Sequence, residues 1–164
     1  MLIQLCYAST RKDHQELLQD LSDILTTAVR FNRLHNINGV LYYAHNSFFQ
    51  CLEGEKEVVE QLFEGIKKDK RHQDIILLSK KEIPNIQFSD WSMKYVQSNK
   101  GVDLFFKAKN YEYFQPTKLN ETQIVEFIQH LLDAEEVTLK KVSEDAEVFN
   151  SSPKGYKRGY ISYI

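Results

Sequence analysis

The sequence predicts an α+β fold in which two helices cover one face of a β-sheet. Short apolar runs typical of strands alternate with two segments whose apolar residues recur every three or four positions. The predicted order up to residue 96 is β-α-β-β-α-β-β. The ferredoxin-like sandwich is the simplest topology with this order, and its first and third strands are neighbours in the middle of the sheet.

The first strand and the first helix come from the N-terminal part of the chain. Residues 2–8 form a short apolar run that ends in a polar turn. Asp13 and Glu16 have the spacing of a capping box, which predicts the start of a helix. The buried stripe of this helix consists of Leu17, Leu21, Ile24, Leu25 and Ala28. The next position on the stripe is Asn32, so the apolar face ends in an amide.

Residues 39–54 have a clear strand pattern. Two runs rich in β-branched, aromatic and apolar residues flank a short polar connection, which predicts a β-hairpin. Alternate residues of a strand share a face, so Phe48, Gln50 and Leu52 are expected to point to the core together. A buried Gln50 amide needs partners, because each unmet group costs on the order of 1–3 kcal/mol. The topology puts Tyr7 of the first strand beside it.

A second helix and a fourth strand follow the hairpin. Residues 55–68 predict an amphipathic helix with acidic residues in its first turn. Its apolar stripe continues onto Asp69, and Arg71 and His72 lie just beyond. Residues 74–82 contain an apolar run that predicts a strand. A second apolar helical face therefore also ends in polar side chains.

The C-terminal part of the chain changes character after a fifth predicted strand. This strand spans residues 89–96 and is expected to carry Trp91, Met93 and Tyr95 on one side. Three helices are predicted beyond it: residues 99–110, residues 121–132 and a weaker, acidic one over residues 134–149. We expect them to cover the open face of the sheet. The predicted division is a domain of residues 1–96, a helical extension of residues 97–149 and a flexible tail of residues 150–164.

Composition limits the classes of function. The chain has 21 Lys and Arg against 23 Asp and Glu and no basic block, which argues against direct binding to nucleic acid. No apolar run reaches the roughly 18 residues of a membrane-spanning helix, and the N-terminus lacks a signal-peptide pattern. We therefore expect a cytoplasmic protein without membrane contact. Cys6 and Cys51 are expected to be free thiols, and Cys51, which faces away from the cleft, is expected to be inert.

Polar residues interrupt the apolar pattern at positions that the predicted topology brings together. They are Tyr7, Asn32, Gln50, Asp69, Arg71 and His72, with Trp91 and Met93 nearby. The topology directs them toward one cleft between the two helices and above the central strands. A planar heterocycle with carbonyl and ring-nitrogen groups along one edge would satisfy such a cleft, and Ile24, Phe48 and Ile66 would supply apolar walls.

These residues lie in motifs that resemble the BLUF family, the sensors of blue light using flavin. The matching motifs are Tyr7-Ala8-Ser9, Asn32, Asn36-Ile37-Asn38-Gly39-Val40-Leu41, Phe48-Phe49-Gln50-Cys51-Leu52-Glu53-Gly54, Asp69-Lys70-Arg71-His72 and Trp91-Ser92-Met93. The resemblance implies non-covalent FAD, with FMN or riboflavin as alternatives. It places Asn32 on the pyrimidine edge, Phe48 and Ile66 against the ring, and Asp69, Arg71 and His72 as contacts from the second helix.

The resemblance also implies a photoreceptor and not an enzyme. Tyr7 would give an electron and a proton to the excited flavin, and the Gln50 amide would end rotated or tautomerised, with a small red shift in absorption. Trp91 and Met93 would relay the change. The chain after residue 96 is short for an enzymatic effector, so we expect signalling by contact with a protein partner, with a transcriptional regulator as one candidate. The sequence does not predict the oligomeric state.

Three other kinds of function use the same topology or cofactor. A light-insensitive small-molecule-binding regulatory module is the main alternative, because ferredoxin-like domains also serve that role. RNA binding is disfavoured by the missing positive charge and the absence of an RNP-like aromatic pattern. A flavin-dependent enzyme is disfavoured because no nicotinamide fingerprint is present. Bound flavin together with a light response would separate the photoreceptor from these alternatives.

Overall fold

The computed structural model describes residues 1–12 and 16–138 of the 164-residue chain. The strands are β1 (Leu2–Arg11), β2 (Asn38–Ala44), β3 (Ser47–Glu55), β4 (His72–Glu82) and β5 (Lys94–Gln97). The helices are α1 (Leu17–Leu34), α2 (Lys56–Ile66), α3 (Lys100–Ala108) and α4 (Glu121–Asp133), and a 3-10 turn spans Pro116–Lys118. Within the described residues no helix has the length and hydropathy to cross a membrane.

The strands form one mixed sheet in the order β4-β1-β3-β2-β5. Strand β1 pairs antiparallel with both β3 and β4, β2 pairs antiparallel with β3, and β5 joins the edge parallel to β2. The predicted ferredoxin-like topology is therefore confirmed. The register of β1 with β3 sets Tyr7 directly opposite Gln50, as the sequence predicted, and sets Cys6 opposite Cys51.

Each face of the sheet has its own hydrophobic core. Helices α1 and α2 cover the face that carries Tyr7, Phe48 and Leu52. Helices α3 and α4 cover the other face, which carries Phe49 and Cys51. The expectation that C-terminal helices cover the open face is confirmed for α3 and α4. Because successive strand residues alternate between faces, β3 contributes Gln50 to one core and Cys51 to the other.

The sequence prediction for the fifth strand was wrong in two respects. The strand begins at Lys94 and not at residue 89, because the preceding loop is held by side chains and not by a strand partner. The Asn38 amide donates to the carbonyl oxygens of Phe88 and Trp91, both at 3.1 Å. The loop breaks the alternation, so Trp91 packs with the core under α3 and α4 while Met93 packs with the opposite core.

Two predicted helix boundaries also differ from the structure. Helix α1 begins at Leu17 with Glu16 as N-cap and no side-chain cap bond, and Asp13 of the predicted capping box lies outside the described residues. The predicted acidic helix over residues 134–149 is absent from its described part, because residues 134–138 are not helical. The rest of that segment and the predicted tail of residues 150–164 lie outside the described residues.

Gly39 lies where β2 closely approaches β3. It sits in β2 opposite Leu52, and a Cβ atom at this position would lie 2.0 Å from the carbonyl oxygen of Cys51. That atom belongs to the backbone of the neighbouring strand and has no rotamer by which to move away. Glycine is therefore required by the close approach of β2 to β3.

A buried carboxylate anchors the connection between β4 and β5. Glu53 is fully buried, and its Oε1 accepts the backbone N–H groups of Gln87 and Phe88, both at 2.9 Å. Its Oε2 accepts the Gln4 side-chain amide at 2.9 Å. A buried carboxylate is tolerated when its oxygens are hydrogen-bonded in this way. Glu53 thereby fixes the loop that leads to Met93.

Candidate functional site

A buried tyrosine and a buried glutamine are directly hydrogen-bonded in the middle of the sheet. The Tyr7 hydroxyl donates to Oε1 of Gln50, and neither side chain has more than 1 % of its surface exposed. The Tyr7 ring packs 5.4 Å from that of Phe63 and 6.2 Å from that of His72, measured between centroids. The buried Gln50 amide therefore has a hydrogen-bond partner, and that partner is Tyr7, as the sequence predicted.

The phenol of Tyr7 stays protonated at neutral pH. Burial raises the pKa of Tyr7 well above its ordinary value, the Asp69 carboxylate adds to the rise, and Arg71 opposes it. A charged phenolate would lose its hydration here, and the nearby Arg71 is already paired with the Asp69 carboxylate. The group that faces Gln50 is therefore a neutral donor with a transferable proton.

The Gln50 amide also reaches a second side chain. Its Nε2 donates to the sulfur of Met93 at 3.7 Å, which is a weak bond because a thioether is a poor acceptor. The amide nitrogen carries two hydrogens, and within the described residues the second one has no protein partner. Gln50 thus accepts from Tyr7, holds Met93 weakly and keeps one donor available for a ligand.

Asn32 supplies a second amide at the end of α1. Its Nδ2 donates to the backbone oxygen of Ser92 at 2.9 Å, and the side chain is buried. Its Oδ1 accepts no hydrogen bond from the described part of the chain. Because Nδ2 is fixed on Ser92, the amide orientation is set, and Oδ1 is the atom left to accept from a ligand.

Asp69 and Arg71 form a two-point ion pair with each other. Arg71 Nη2 lies 2.6 Å and Nε 3.0 Å from the two carboxylate oxygens, and the Arg71 backbone N–H adds a third bond at 2.9 Å. The Arg71 side chain is 12 % exposed and the Asp69 side chain 4 %, so the pair is largely shielded from water. The structure brings both predicted residues to the site as a charge pair next to Tyr7.

Both ring nitrogens of His72 are already engaged by the protein. Nε2 lies 3.0 Å from the backbone oxygen of Ile66, which can only accept, so Nε2 is assigned the hydrogen. Nδ1 lies 2.9 Å from Ser9 Oγ and therefore accepts from the hydroxyl. The ring packs edge-on to Tyr7 and Phe48. In this arrangement His72 supports the site by packing and has no nitrogen free for a ligand.

Burial also makes His72 a pH-sensitive contributor to stability. Desolvation lowers the pKa of His72, while the bond to Ile66 and the charge of Asp69 oppose the shift. Below about pH 6.5 the unfolded chain binds a proton at His72 that the folded chain does not bind. The contribution of His72 to stability is therefore complete above about pH 6.5 and decreases as the pH is lowered further. We expect the free energy of unfolding, measured with urea, to decrease by up to about 1.4 kcal/mol per pH unit below pH 6.5 because of this group.

The variant His72→Gln should reduce that pH dependence. Equal slopes for wild type and His72→Gln between pH 7 and pH 5 would show that His72 does not titrate differently in the folded protein.

The predicted apolar walls are assembled around the polar groups. Ile24, Phe48 and Ile66 are each no more than 2 % exposed and belong to the same core as Tyr7 and Met93. Trp91 is the exception among the predicted site residues. Its indole packs on the opposite core, and Nε1 donates to Glu136 at 3.2 Å, because the loop before β5 turns the side chain over.

Three residues of the site were missed by sequence reasoning. Ser9 could have been found from its alternation with Tyr7, which puts both on one face of β1. Ser92 contributes only a backbone oxygen, and Glu53 acts through a distant loop. No sequence pattern indicates either of these two contacts.

The residues present fit a flavin. An isoalloxazine ring offers a flat apolar body and one edge of carbonyl and N–H groups. The free Asn32 Oδ1, the free donor on Gln50 and the apolar side chains of Ile24, Phe48 and Ile66 are the groups that such a molecule requires.

A ferredoxin-like sheet with a buried Tyr–Gln pair beneath two helices, beside amide groups left free for a ligand, defines a domain that can bind a planar cofactor. Residues 2–94 match the family described as BLUF, sensors of blue-light using FAD. The chain belongs to this family, and the cofactor of the family is FAD. The resemblance seen in the sequence is confirmed, and a light-insensitive regulatory module is not favoured.

Solved structures of BlsA are similar along nearly their whole length. The photo-activated state is 51% identical with a TM-score of 0.82, covering 84% of this chain and 99% of that one. The ground state is 50% identical with a TM-score of 0.82, covering 88% of this chain and 99% of that one. Both names describe light-dependent states of a protein that shares this fold.

Curated relatives match over shorter stretches. The blue light- and temperature-regulated antirepressor BluF of Escherichia coli (strain K12) is 33% identical over 78 residues, which are 48% of this chain and 19% of that protein. Photoactivated adenylate cyclase subunit beta of Euglena longa is 35% identical over 75 residues, 45% of this chain and 9% of that protein. The chain therefore spans only a small part of the length of these relatives.

Proposed function

We propose that this protein is a blue-light photoreceptor in which Tyr7 and Gln50 are the photoactive pair. The supporting observation is the hydrogen bond from the buried, protonated Tyr7 hydroxyl to Gln50 Oε1. Asn32 would hold the pyrimidine edge through Oδ1, and Ile24, Phe48 and Ile66 would pack against the ring. A bound flavin supplies the chromophore and, once excited, the electron acceptor.

Tyr7 is the residue that changes oxidation state in this proposal. It gives up one electron, and the phenolic proton becomes strongly acidic once the electron is lost. Gln50 Oε1 is hydrogen-bonded to that proton and takes it, while Nε2 releases an amide proton toward the cofactor. When the electron and a proton return, Tyr7 is a neutral phenol again, so electrons and protons balance over the cycle.

Gln50 is the residue that retains the change. Its amide ends either rotated, which exchanges the atoms that face Met93 and the cofactor, or as the imidic tautomer, which keeps those atoms in place but moves a hydrogen from nitrogen to oxygen. An amide can both donate and accept, so its bonds can reverse without any displacement of the backbone. Because the Gln50–Met93 bond is weak, Met93 is the contact most easily altered.

The output proposed for this chain is a light-dependent contact with a protein partner and not catalysis by the chain itself. A transcriptional regulator is the proposed partner, supported by the description of the E. coli relative as an antirepressor. We place the boundary of the light-sensing domain after residue 96, close to the end of the family match at residue 94. A candidate regulator should bind dark and illuminated protein with different affinity, and equal affinity would exclude that regulator.

The photoreceptor proposal predicts a coloured protein with a reversible light response. The purified chain, loaded with FAD, should be yellow, and blue light should shift its flavin absorption band slightly to the red. The shift should decay in the dark, and red light, which flavin does not absorb, should produce none. A protein that stays colourless after reconstitution, or a spectrum unchanged by blue light, would refute the proposal.

A further inference from the structure

The segment of residues 91–95 is bonded to the flavin side of the sheet at two successive positions. The Ser92 oxygen accepts the Asn32 amide at 2.9 Å, and the Met93 sulfur accepts the Gln50 amide at 3.7 Å. Both donors belong to the candidate site, and both keep a group free for the cofactor. A change at either amide is therefore delivered to this short segment.

The same segment is bonded on the other side to the end of α4 and to the residues that follow it. Lys94 Nζ donates to the backbone oxygen of Leu132 at 2.8 Å and lies 4.4 Å from the centre of the Trp91 ring. The Trp91 indole donates to Glu136. The backbone oxygen of Tyr95 accepts the backbone N–H of Val137 at 2.8 Å, and this bond holds residues 134–138 beside β5.

Lys94 is unusual because a lysine on a short edge strand is buried. Only 2 % of it is exposed, and lysine is rarely this buried unless its ammonium is paired. Leu132 lies in the last turn of α4, where backbone oxygens lack helical partners and the helix dipole is negative. Burial lowers the pKa of Lys94, while Glu136 and Asp133 oppose the shift. The ammonium group therefore caps the C-terminal end of α4.

We propose that Lys94 is the positioning residue that couples the Gln50 amide to residues 134–138. Met93 and Lys94 share a peptide bond and point to opposite faces of the sheet, so a displacement of Met93 moves the cap on α4. The Val137 side chain packs on the flavin-side core, so its position depends on both faces. This inference rests on the proposed photoreceptor function and adds the route by which its signal leaves the domain.

The test compares Lys94→Met with a matched lysine in the full-length, FAD-loaded protein. Methionine keeps the apolar stem and removes the charge and the donor. Lys109→Met is the control, because Lys109 also lies over an aromatic ring, that of Phe105 at 4.5 Å, and contacts α4 through Glu126 at 3.3 Å, without touching β5. Two quantities are measured in dark and light: the flavin absorption and the backbone hydrogen exchange of residues 134–138.

In wild type and in Lys109→Met we expect exchange in residues 134–138 to rise about tenfold in light, the factor that one ordinary hydrogen bond contributes to a local opening equilibrium. In Lys94→Met the red shift should persist, but the ratio of the hydrogen-exchange rates of residues 134–138 in light and in dark should fall close to one. The exposed Glu136 provides a second variant that is not expected to impair folding. Glu136 holds the Trp91 indole, over which the Lys94 ammonium lies, so Glu136→Ala should also lower the light-to-dark ratio of hydrogen exchange.

A normal red shift in wild type without any change in exchange would refute the coupling and leave the photoreceptor proposal intact. A full light response in either Lys94→Met or Glu136→Ala would likewise overturn the assignment. Should Lys94→Met fail to retain FAD, Glu136→Ala decides the question. A wild type that shows no red shift at all would contradict the proposed function itself.

Discussion

Replacing Tyr7 with phenylalanine is expected to abolish the light-induced red shift while the dark protein remains folded and yellow. The variant removes the oxygen that donates to Gln50 and keeps the ring that packs on Phe63 and His72. A phenyl ring carries no transferable proton and is far harder to oxidise. Leaving Gln50 Oε1 without its donor should cost about 1–3 kcal/mol of unfolding free energy, measurable by urea titration.

Tyr95→Phe is the matched control for that experiment. Tyr95 is 2 % exposed, belongs to the same core, and its hydroxyl donates to a glutamine oxygen, Gln97 Oε1, at 2.8 Å. Burial raises the pKa of Tyr95 well above its ordinary value, as it does for Tyr7. Its removal should leave the red shift in place. A photocycle that survives in Tyr7→Phe would remove Tyr7 from the mechanism.

Gly39→Ala is expected to produce the largest loss of stability among single methyl additions. The new Cβ would lie 2.0 Å from the Cys51 backbone oxygen, so β2 and β3 must separate. We expect the free energy of unfolding to fall by at least about 3 kcal/mol, because the new Cβ would meet backbone atoms of β3, which have no rotamer by which to move away. Cys51 is adjacent to Gln50, so FAD affinity should fall as well. Urea unfolding and FAD titration measure the two effects.

Gly54→Ala controls for the general effect of adding a methyl group to the same sheet. Its Cβ would meet the Asn36 oxygen and a Val59 methyl at 3.3 Å, distances that a shift of a few tenths of an ångström relieves. We expect a cost of about 1 kcal/mol. Equal unfolding midpoints for the two variants would contradict the close approach inferred at Gly39.

Local periodicity was sufficient to predict much of the fold. The stripes of α1 and α2 and the hairpin of β2 and β3 depend on residues close in sequence, where spacing directly reports which face is buried. The Tyr7–Gln50 pair required one further step, the choice of strand order, and the common topology supplied it.

Contacts made by loops and helix ends could not be predicted in this way. Trp91 was assigned to the wrong face because its alternation is broken by the Asn38 amide, which folds the preceding loop through backbone oxygens. Lys94 looks in the sequence like an ordinary exposed lysine. Its burial depends on a backbone oxygen of Leu132 that only the packing of α4 brings within reach. Such bonds leave no periodic trace, because their partners are backbone atoms common to every residue type.

The facing pair of Cys6 and Cys51 has a practical consequence for following the photocycle. Each cysteine is one residue away from Tyr7 or Gln50 but points into the opposite core. Both thiols are fully buried, and burial together with the neighbouring Cys6 raises the pKa of Cys51, so it stays protonated. Thiol S–H stretching absorbs in an infrared region that water and the peptide groups leave nearly empty. The protein thus contains a native vibrational probe of its central strands, requiring no label.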